Sequence, residues 1–297
     1  GIFIPGEFYF DEIMIIFLAV MITDILLLDF FNTLGMPTST TVSIVFSLLG
    51  ATVVMALIKI GASSSETMAD IGNYINSEKA IEIITGILLS VVIAFTLGAL
   101  VQWLSRLVFS FHYEQKMKNF GAIFGGLTLT AISYFIFFKG LKGAPNYSAF
   151  KEILATNFWI VIGIGFIFWT AFSILFTKLF KKSILLVVIA IGTFGLALAF
   201  SGNDLVNFIG VPIAAWQSYE AWVASGVPAT DFSMGFLADK VPTPTILLVI
   251  SGLVMVLTLW FSEKAKSVTE TEINLSREGD GKERFQPNFL SRGLVRF

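Results

Sequence analysis

Long apolar stretches separated by short polar loops make up most of the chain. Six stretches contain no charged residue, and each is close to the 20 or so residues that cross about 30 Å of hydrocarbon as an α-helix. This pattern predicts about six membrane-spanning helices. The six stretches are Val42–Ile58, Ile83–Leu104, Phe120–Phe138, Phe158–Thr177, Ser183–Asn203 and Thr243–Ser262.

Two further apolar segments carry polar residues. Ile13–Leu34 contains Asp24 and Asp29, with Asn32 three residues further on, and Leu205–Tyr219 is short and polar for a routine span. Polar groups at membrane depth are tolerated only where protein buries them or a watery cavity solvates them. We therefore expect Leu205–Tyr219 to be a re-entrant segment, and both segments are candidates for a transport site. For the carboxylates of the first segment, a packing or interfacial role is the alternative.

The composition indicates a membrane protein. Of the 297 residues, 56% are hydrophobic and 13% are charged, whereas about a quarter of the residues of a soluble domain are charged. The predicted fold is an all-α, polytopic membrane helical bundle with re-entrant or broken helices. We expect residues 1–262 to form the transmembrane domain, with about seven or eight membrane segments. The charge-rich residues 263–297 are expected to form a polar cytoplasmic tail or linker.

Lysine and arginine residues in the short loops predict the orientation. Residues 105–119 and 178–182 are rich in cationic side chains, which favours the cytoplasmic side, whereas residues 61–79 and 231–240 have no cationic excess. The charged tail then falls in the cytoplasm. We predict a multi-pass protein of the cell membrane, that is, the inner or plasma membrane.

Several kinds of chemistry lack the residues they need. The chain contains no Cys and a single His, His112, which argues against thiolate or histidine metal sites and against the common nucleophilic triads. A net charge of -2 gives no electrostatic attraction for nucleic acid. We therefore expect no enzyme activity, no nucleic-acid partner and no cofactor other than a coupling ion.

The first motif that carries chemistry is Gly35–Thr41, with the sequence Gly-Met-Pro-Thr-Ser-Thr-Thr. Proline just ahead of a helix start and consecutive hydroxyl residues are typical of an N-terminal cap. Backbone N–H groups and the side chains of Ser39, Thr40 and Thr41 would converge there, at a helix end that carries about +0.5 of an elementary charge. The motif predicts a cradle for an oxyanion such as phosphate or sulfate. The alternative is that these residues only cap a transmembrane helix.

The second motif is Ser201–Gly210, which begins Ser-Gly-Asn-Asp. Asn203 and Asp204 offer hard oxygen ligands, and one helical turn brings Asn207 to the same face as Asp204. A carboxylate at the bilayer centre costs about 2.5 to 3.5 kcal/mol on insertion scales, so it is expected to be paired, ion-bound or protonated. The motif predicts a site for Na+ or a proton, with Na+ at Asp204 and Asn203. A capping aspartate at the membrane interface is the alternative.

Together the two motifs resemble those of the inorganic phosphate transporter (PiT) family, the sodium- or proton-coupled phosphate permeases. The family carries Gly-Ala-Asn-Asp-Val-Ala-Asn-Ala and Gly-Leu-Pro-Val-Ser-Thr-Thr-His in each of two inverted repeats, and Ser201–Phe208 and Gly35–Val42 match these stretches. The order of the two motifs implies an interior fragment, from the end of repeat one to the start of repeat two. The departures from the family pattern are Val42, where the family has His, and Gly202, Leu205 and Phe208.

The resemblance implies a secondary active transporter of inorganic phosphate coupled to Na+ or H+. Because the family's His is missing, sulfate stays open as the substrate. An uncoupled anion channel or a receptor-like membrane protein is the alternative from another class. The expected partners are phosphate and membrane lipid, and a homo-oligomer stays open. The residues implied for phosphate are Ser39, Thr40 and Thr41, and those implied for the coupling cation are Asn203, Asp204 and Asn207.

Overall fold

The computed structural model describes residues 2–109, 113–140, 152, 155–239 and 243–275, a set that leaves out His112. These residues are almost entirely helical, and within them the extended pairing is limited to two isolated β-bridges. The predicted all-α polytopic bundle is confirmed. The α-helices are α1 (Phe10–Leu34), α2 (Thr40–Ala62), α3 (Ser77–Phe109), α4 (Tyr113–Phe135), α5 (Phe158–Phe180), α6 (Leu185–Ser225), α7 (Thr245–Phe261) and α8 (Glu263–Leu275).

In the described part of the chain, six helices are long and apolar enough to cross a membrane, or up to seven if the bent pair α7 and α8 is one span. The first of the six is α1, despite its two aspartates. Helices α7 and α8 meet at an angle of 72°. Ser262 lies at the bend with an extended backbone, and its Oγ accepts a hydrogen bond from the Ala265 N–H at 3.2 Å. One residue therefore ends α7 and caps α8.

The re-entrant segment expected at Leu205–Tyr219 is absent, because α6 continues through it as one helix from Leu185 to Ser225. Gly202 and Pro212 both lie inside this helix. In a membrane, a backbone group outside a helix lacks water as a hydrogen-bond partner, so membrane helices tolerate glycine and proline more readily than soluble ones. The prediction of a break was wrong. It assumed that Gly202 and the polar side chains would interrupt the helix, but the need to keep backbone hydrogen bonds within the membrane outweighs their effect.

Contacts divide the chain into two compact units, residues 1–84 with 205–297, and residues 85–204. In the first unit α1 and α2 run antiparallel, since Glu12 pairs with Lys59 towards one end and Asp24 accepts a hydrogen bond from Ser43 towards the other. Apolar side chains pack between these two polar contacts and form the centre of the buried core. They are Ile13, Ile16, Phe17 and Val20 of α1 with Met55, Ala56 and Ile60 of α2.

Three connecting segments meet at one end of the first unit, and we call them the loop cluster: residues 2–9, 63–76 and 226–239. The Ile4 N–H donates to the Tyr74 carbonyl at 3.0 Å, and the Met234 N–H donates to the Phe8 carbonyl at 3.1 Å. The side chains of Phe8 and Met234 are buried. The two later segments overlap the loops that the sequence assigns to the outer side, and their contact is what loops on one side of a membrane require. The assignment to the outer side stays a prediction.

Lys59 fastens the C-terminal end of α2 to the loop cluster. Its Nζ lies 2.8 Å from Glu12 Oε2 and 2.9 Å from the Glu7 carbonyl oxygen. The same ammonium group lies 4.8 Å from the ring centre of Tyr9 and 5.7 Å from that of Tyr74. Ring faces attract a cation, and the attraction is stronger where water is excluded. The single charged residue of α2 is thus held by both a carboxylate and aromatic rings.

In the second unit, α4 and α5 approach closely because glycines on α4 lie against hydroxyl residues on α5. A Cβ atom at Gly126 would lie 3.1 Å from Thr170 Cβ, and one at Gly125 would lie 3.2 Å from Ser173 Cβ. Ser173 is fully buried. Between membrane helices, association depends on such close packing, because lipid tails are as apolar as the side chains. The two glycines therefore determine how closely this pair packs.

The two cation-rich loops also meet within the second unit. Lys118, Lys181 and Lys182 line one cavity of about 560 Å³. These lysines come from residues 105–119 and 178–182, which the sequence assigns to the cytoplasmic side. Their proximity is consistent with a shared side of the membrane.

The start of the predicted polar tail forms α8, which lies against the C-terminal end of α1. Lys264 pairs with Asp29, and Ser267 Oγ donates to the Asn32 carbonyl at 3.4 Å. Both partners of the ion pair are exposed, so its contribution to stability is at most about 1 kcal/mol. Asp29 thus contacts the tail in the first unit. The domain boundary at residue 262 stays a prediction, and residues 276–297 lie outside the described residues.

Replacing Gly126 with Leu should destabilise the second unit by about 1 to 3 kcal/mol, because the larger side chain must displace Thr170. The measurement is thermal unfolding of the purified protein in detergent. Gly163→Leu is the matched control, since Gly163 lies on α5 with no neighbouring atom within 4 Å of an added Cβ. Equal unfolding temperatures for the two variants would contradict the packing argument.

Tyr74 should ionise at an unusually high pH. Burial, followed by hydrogen bonds from its hydroxyl to both oxygens of Glu66 at 3.0 and 3.1 Å, raises the pKa of Tyr74 to about 12. Because the folded-state pKa lies above the ordinary value near 10, the stability that Tyr74 contributes is complete below pH 10 and is lost between about 10 and 12.

The check is tyrosinate absorbance during an alkaline titration of the wild type and the Tyr74→Phe variant. The difference between the two curves should be centred near pH 12, and Glu66→Gln should move it to lower pH. A difference curve centred near pH 10 would show that the hydroxyl is not buried against Glu66.

Candidate functional site

The turn between α1 and α2 is built by Gly35 and Pro37. Gly35 has φ 64° and ψ 30°, a left-handed conformation that glycine adopts without strain. The Gly35 N–H donates to the Asn32 carbonyl at 3.0 Å and the Met36 N–H to the Phe31 carbonyl at 2.9 Å, which satisfies the last carbonyls of α1. Pro37 then restricts the backbone before the next helix. The first motif therefore ends one helix and starts another within a few residues.

Ser39 caps the N-terminus of α2. Its backbone is extended, and its Oγ accepts a hydrogen bond from the Val42 N–H at 3.3 Å. This is the capping role that the sequence left as the alternative. Capping uses a lone pair of the hydroxyl oxygen and keeps the O–H group for donation. The cap and an anion cradle are therefore compatible uses of the same residue at a helix end that favours negative charge.

Asn207 joins the second motif to the first. Its Nδ2 donates to Thr41 Oγ1 at 2.8 Å and to Thr40 Oγ1 at 3.2 Å. All three side chains are half-buried, and all three residues belong to the first unit. A hydroxyl oxygen that accepts a hydrogen bond can also donate one, so the contact with Asn207 is compatible with a donor role for each threonine. The structure thus places Asn207, which was predicted to bind the coupling cation, in contact with Thr40 and Thr41, which were predicted to bind phosphate.

The start of α2 lies beside the interior of α1, before the C-terminal end of α1 is reached. The pairs Glu12–Lys59 and Asp24–Ser43 define the antiparallel register, which places Thr40 level with residues 27–31 of α1. At 1.5 Å per residue, this level is about 5 to 10 Å before the end of α1 at Leu34. The N-terminus of α2 therefore lies within the length of a membrane-spanning helix, where its unpaired N–H groups most need a partner.

A cleft of about 710 Å³ opens between α1 and α2 beside the cap. Most of its lining is apolar, but Thr38 and Ser39 line it near the cap and Ser43 and Ser47 line it further along α2. The spacing of four residues from Ser39 to Ser43 to Ser47 places these hydroxyls on one face of the helix. The cap is thus the end of a row of hydroxyl groups in an apolar cleft.

The remaining residues predicted for the coupling cation lie on α6. Asp204 is the last residue of the second unit and is half-buried, and the side chain of Asn203 lies outside the described residues. The residues that the structure describes contain no group of three or more His, Cys, Asp or Glu side chains that could hold a metal ion. A Na+ site at Asp204 and Asn203 stays a prediction.

The contact between Asp24 and Ser43 is a polar feature that sequence analysis missed. Asp24 is 2% exposed and Ser43 is 7% exposed, and Ser43 Oγ donates to Asp24 Oδ1. Asp24 was a candidate from the sequence, whereas Ser43 was not, because a serine in the first turn of a helix is easily assigned to the cap. The one available signal was the recurrence of serine every four residues along α2.

The fold defines a multi-pass membrane protein, and the candidate site is a helix N-terminus with hydroxyl groups, which suits an anion. The chain matches the phosphate transporter family, PHO4, over residues 1–269, and it belongs to that family. The resemblance drawn from the two motifs is therefore confirmed, and with it phosphate as the family's substrate. No curated protein and no solved structure matched the chain.

Replacing Asn207 with Ala should weaken phosphate binding about 5- to 150-fold, because the variant loses two hydrogen bonds to the threonine hydroxyls of about 0.5 to 1.5 kcal/mol each. Asn207→Asp should weaken it further, since the carboxylate adds a negative charge beside the anion. The measurement is equilibrium binding of labelled phosphate to the purified protein. Asn73→Ala, at an exposed position, is the control and should bind as the wild type does. Wild-type affinity in Asn207→Ala would remove Asn207 from the site.

Proposed function

We propose that the protein is a secondary active transporter that couples the movement of inorganic phosphate across the cell membrane to Na+ or H+. The observation that carries the proposal is the pair of hydrogen bonds from Asn207 to Thr40 and Thr41. They connect a residue of the Asn-Asp motif to the hydroxyl groups at the start of α2. Membership of the phosphate transporter family supports phosphate as the anion.

In this proposal Ser39, Thr40 and Thr41 bind phosphate. Their hydroxyl groups donate hydrogen bonds, and the positive end of the α2 dipole attracts the anion without an arginine or lysine. Such a site releases its ligand more readily than one built from buried cations, because it neutralises the anion only in part. Partial neutralisation suits a transporter, which must bind its substrate on one side and release it on the other.

The coupling cation is assigned to Asn203, Asp204 and Asn207. At an effective dielectric constant of about 20, two unit negative charges 4 Å apart repel by about 4 kcal/mol. An ionised Asp204 therefore disfavours phosphate nearby, and Na+ or a proton on Asp204 removes the repulsion. By linkage, phosphate then strengthens cation binding to the same extent. Each ligand alone binds weakly, which discourages transport of either without the other.

The test is uptake of radiolabelled phosphate into proteoliposomes that contain the full-length protein, under an imposed Na+ or pH gradient. Accumulation of phosphate against its own gradient is expected with one of the two gradients, which identifies the ion. Asp204→Asn keeps the size of the side chain and removes its charge, so uptake by this variant should lose its dependence on the ion. Steeply ion-dependent uptake by Asp204→Asn would contradict the proposed coupling.

Two comparisons separate the alternatives. Excess unlabelled sulfate should leave uptake nearly unchanged, whereas strong competition by sulfate would indicate a sulfate permease. Flux that follows the phosphate gradient alone, whatever the Na+ or pH gradient, would indicate a channel. Asp231→Asn is the control for the removal of one negative charge, because Asp231 is exposed in the loop cluster.

A further inference from the structure

We propose that Asp24 is a proton-binding site whose protonation is coupled to the anion at the start of α2. This inference rests on the proposed function, since it requires an anion at Ser39, Thr40 and Thr41. It adds a second carboxylate, on α1, to the one assigned to the Asn-Asp motif. Its basis is the position of Asp24 beside the first turn of α2.

The surroundings of Asp24 make a permanent negative charge costly. Its side chain is 2% exposed inside a membrane-spanning helix, and its hydrogen bond comes from the hydroxyl of Ser43. Within the described residues no lysine or arginine forms an ion pair with it. A carboxylate in such a place is expected to bind a cation or to be protonated during the working cycle.

Ser43 connects Asp24 to the anion site. Its Oγ donates to Asp24, while its backbone N–H donates to the Ser39 carbonyl at 3.0 Å. Ser39 and Ser43 also line the same cleft. Since they are four residues apart on a helix, they are separated by about 6 Å along its axis. A charge on Asp24 is therefore close enough to act on an anion held at the cap.

A proton fits this site better than a metal ion. Hard metal cations in proteins are surrounded by about six oxygen ligands. Within the described chain Asp24 forms one hydrogen bond and no ion pair, and the donor of that hydrogen bond is the Ser43 hydroxyl. A proton needs a single carboxylate oxygen, and the protonated acid keeps its hydrogen bond with the serine hydroxyl.

The other charged groups of α1, α2 and α6 in the first unit lie towards the opposite end of α1, as Asp11 and Glu12 do, or in an ion pair, or at an exposed position. On α2 the single charged residue is Lys59, which pairs with Glu12 at the opposite end of the helix. Asp29 of α1 pairs with Lys264 of α8. On the part of α6 that belongs to the first unit, Glu220 is exposed. The proposed coupling site holds one further carboxylate, Asp204. A pH dependence that is lost in Asp24→Asn therefore belongs to Asp24, whereas one that persists in that variant belongs to Asp204.

The sign of the coupling follows from charge. Ionised Asp24 repels the anion and neutral Asp24 does not, so phosphate affinity should fall as the pH rises through the titration of Asp24. Phosphate binding in turn favours the protonated acid, because the two affinities change by the same factor. One linked proton limits the effect to about tenfold in affinity per pH unit.

The experiment compares the full-length wild type with Asp24→Asn, using binding of labelled inorganic phosphate from about pH 5.5 to 8.5. Asp29→Asn is the matched control, since it removes the same charge from the same helix at an exposed position. Free phosphate also titrates in this range, but it does so equally for all three proteins and cancels in the ratio of their affinities.

We expect the ratio of Asp24→Asn affinity to wild-type affinity to rise with pH, by up to about tenfold per unit, and the ratio for Asp29→Asn to stay constant. A constant ratio for Asp24→Asn would overturn the inference while leaving phosphate binding intact. Wild-type protein that binds no phosphate at any pH would overturn the proposed function as well, so the two failures are distinguishable.

Ser43→Ala provides a second variant if Asp24→Asn does not fold. It removes the hydrogen bond to the carboxylate without changing any charge. We expect the pH at which phosphate affinity falls to shift in Ser43→Ala relative to the wild type. An unchanged pH profile in a folded Ser43→Ala protein would count against coupling through this pair.

Discussion

The start of α2 imposes the constraint on which the rest of the first unit depends. A helix that begins within the length of a membrane-spanning neighbour exposes backbone N–H groups where water is scarce, and each must find a partner. Ser39 supplies one partner through its hydroxyl, and the following threonine hydroxyls accept hydrogen bonds from Asn207. The same requirement that makes this helix end costly makes it a place where an anion is stabilised.

Two polar contacts hold α1 and α2 in the register that creates this helix start. Lys59 binds Glu12 and lies over aromatic rings of the loop cluster, and Ser43 binds Asp24 near the cap. The apolar core between the two contacts adds stability but little directional information, because hydrophobic burial is not directional. The register therefore depends chiefly on the polar pairs.

The positions of the membrane helices could be predicted from the sequence, because hydrocarbon requires about 20 apolar residues for each span, but α6 continues to Ser225, beyond the predicted end at Asn203. The ends of α1 and α2 followed in the same way from Gly35, Pro37 and Ser39, whose backbone preferences are local. The prediction failed at Leu205–Tyr219, where glycine and polar side chains were read as a break. Continuous backbone hydrogen bonding through α6 outweighed those local signals.

By itself, the sequence determined the helical membrane class, the family and the two motifs, since each depends on residue types over short stretches. The tertiary structure decided which members of the motifs meet. Asn207 lies more than 160 residues from Thr40 and Thr41, and Ser43 lies 19 residues from Asp24. Contacts of this kind depend on the register and packing of whole helices. No local pattern encodes that register, because any face of an apolar helix can be buried in lipid or in protein at similar cost.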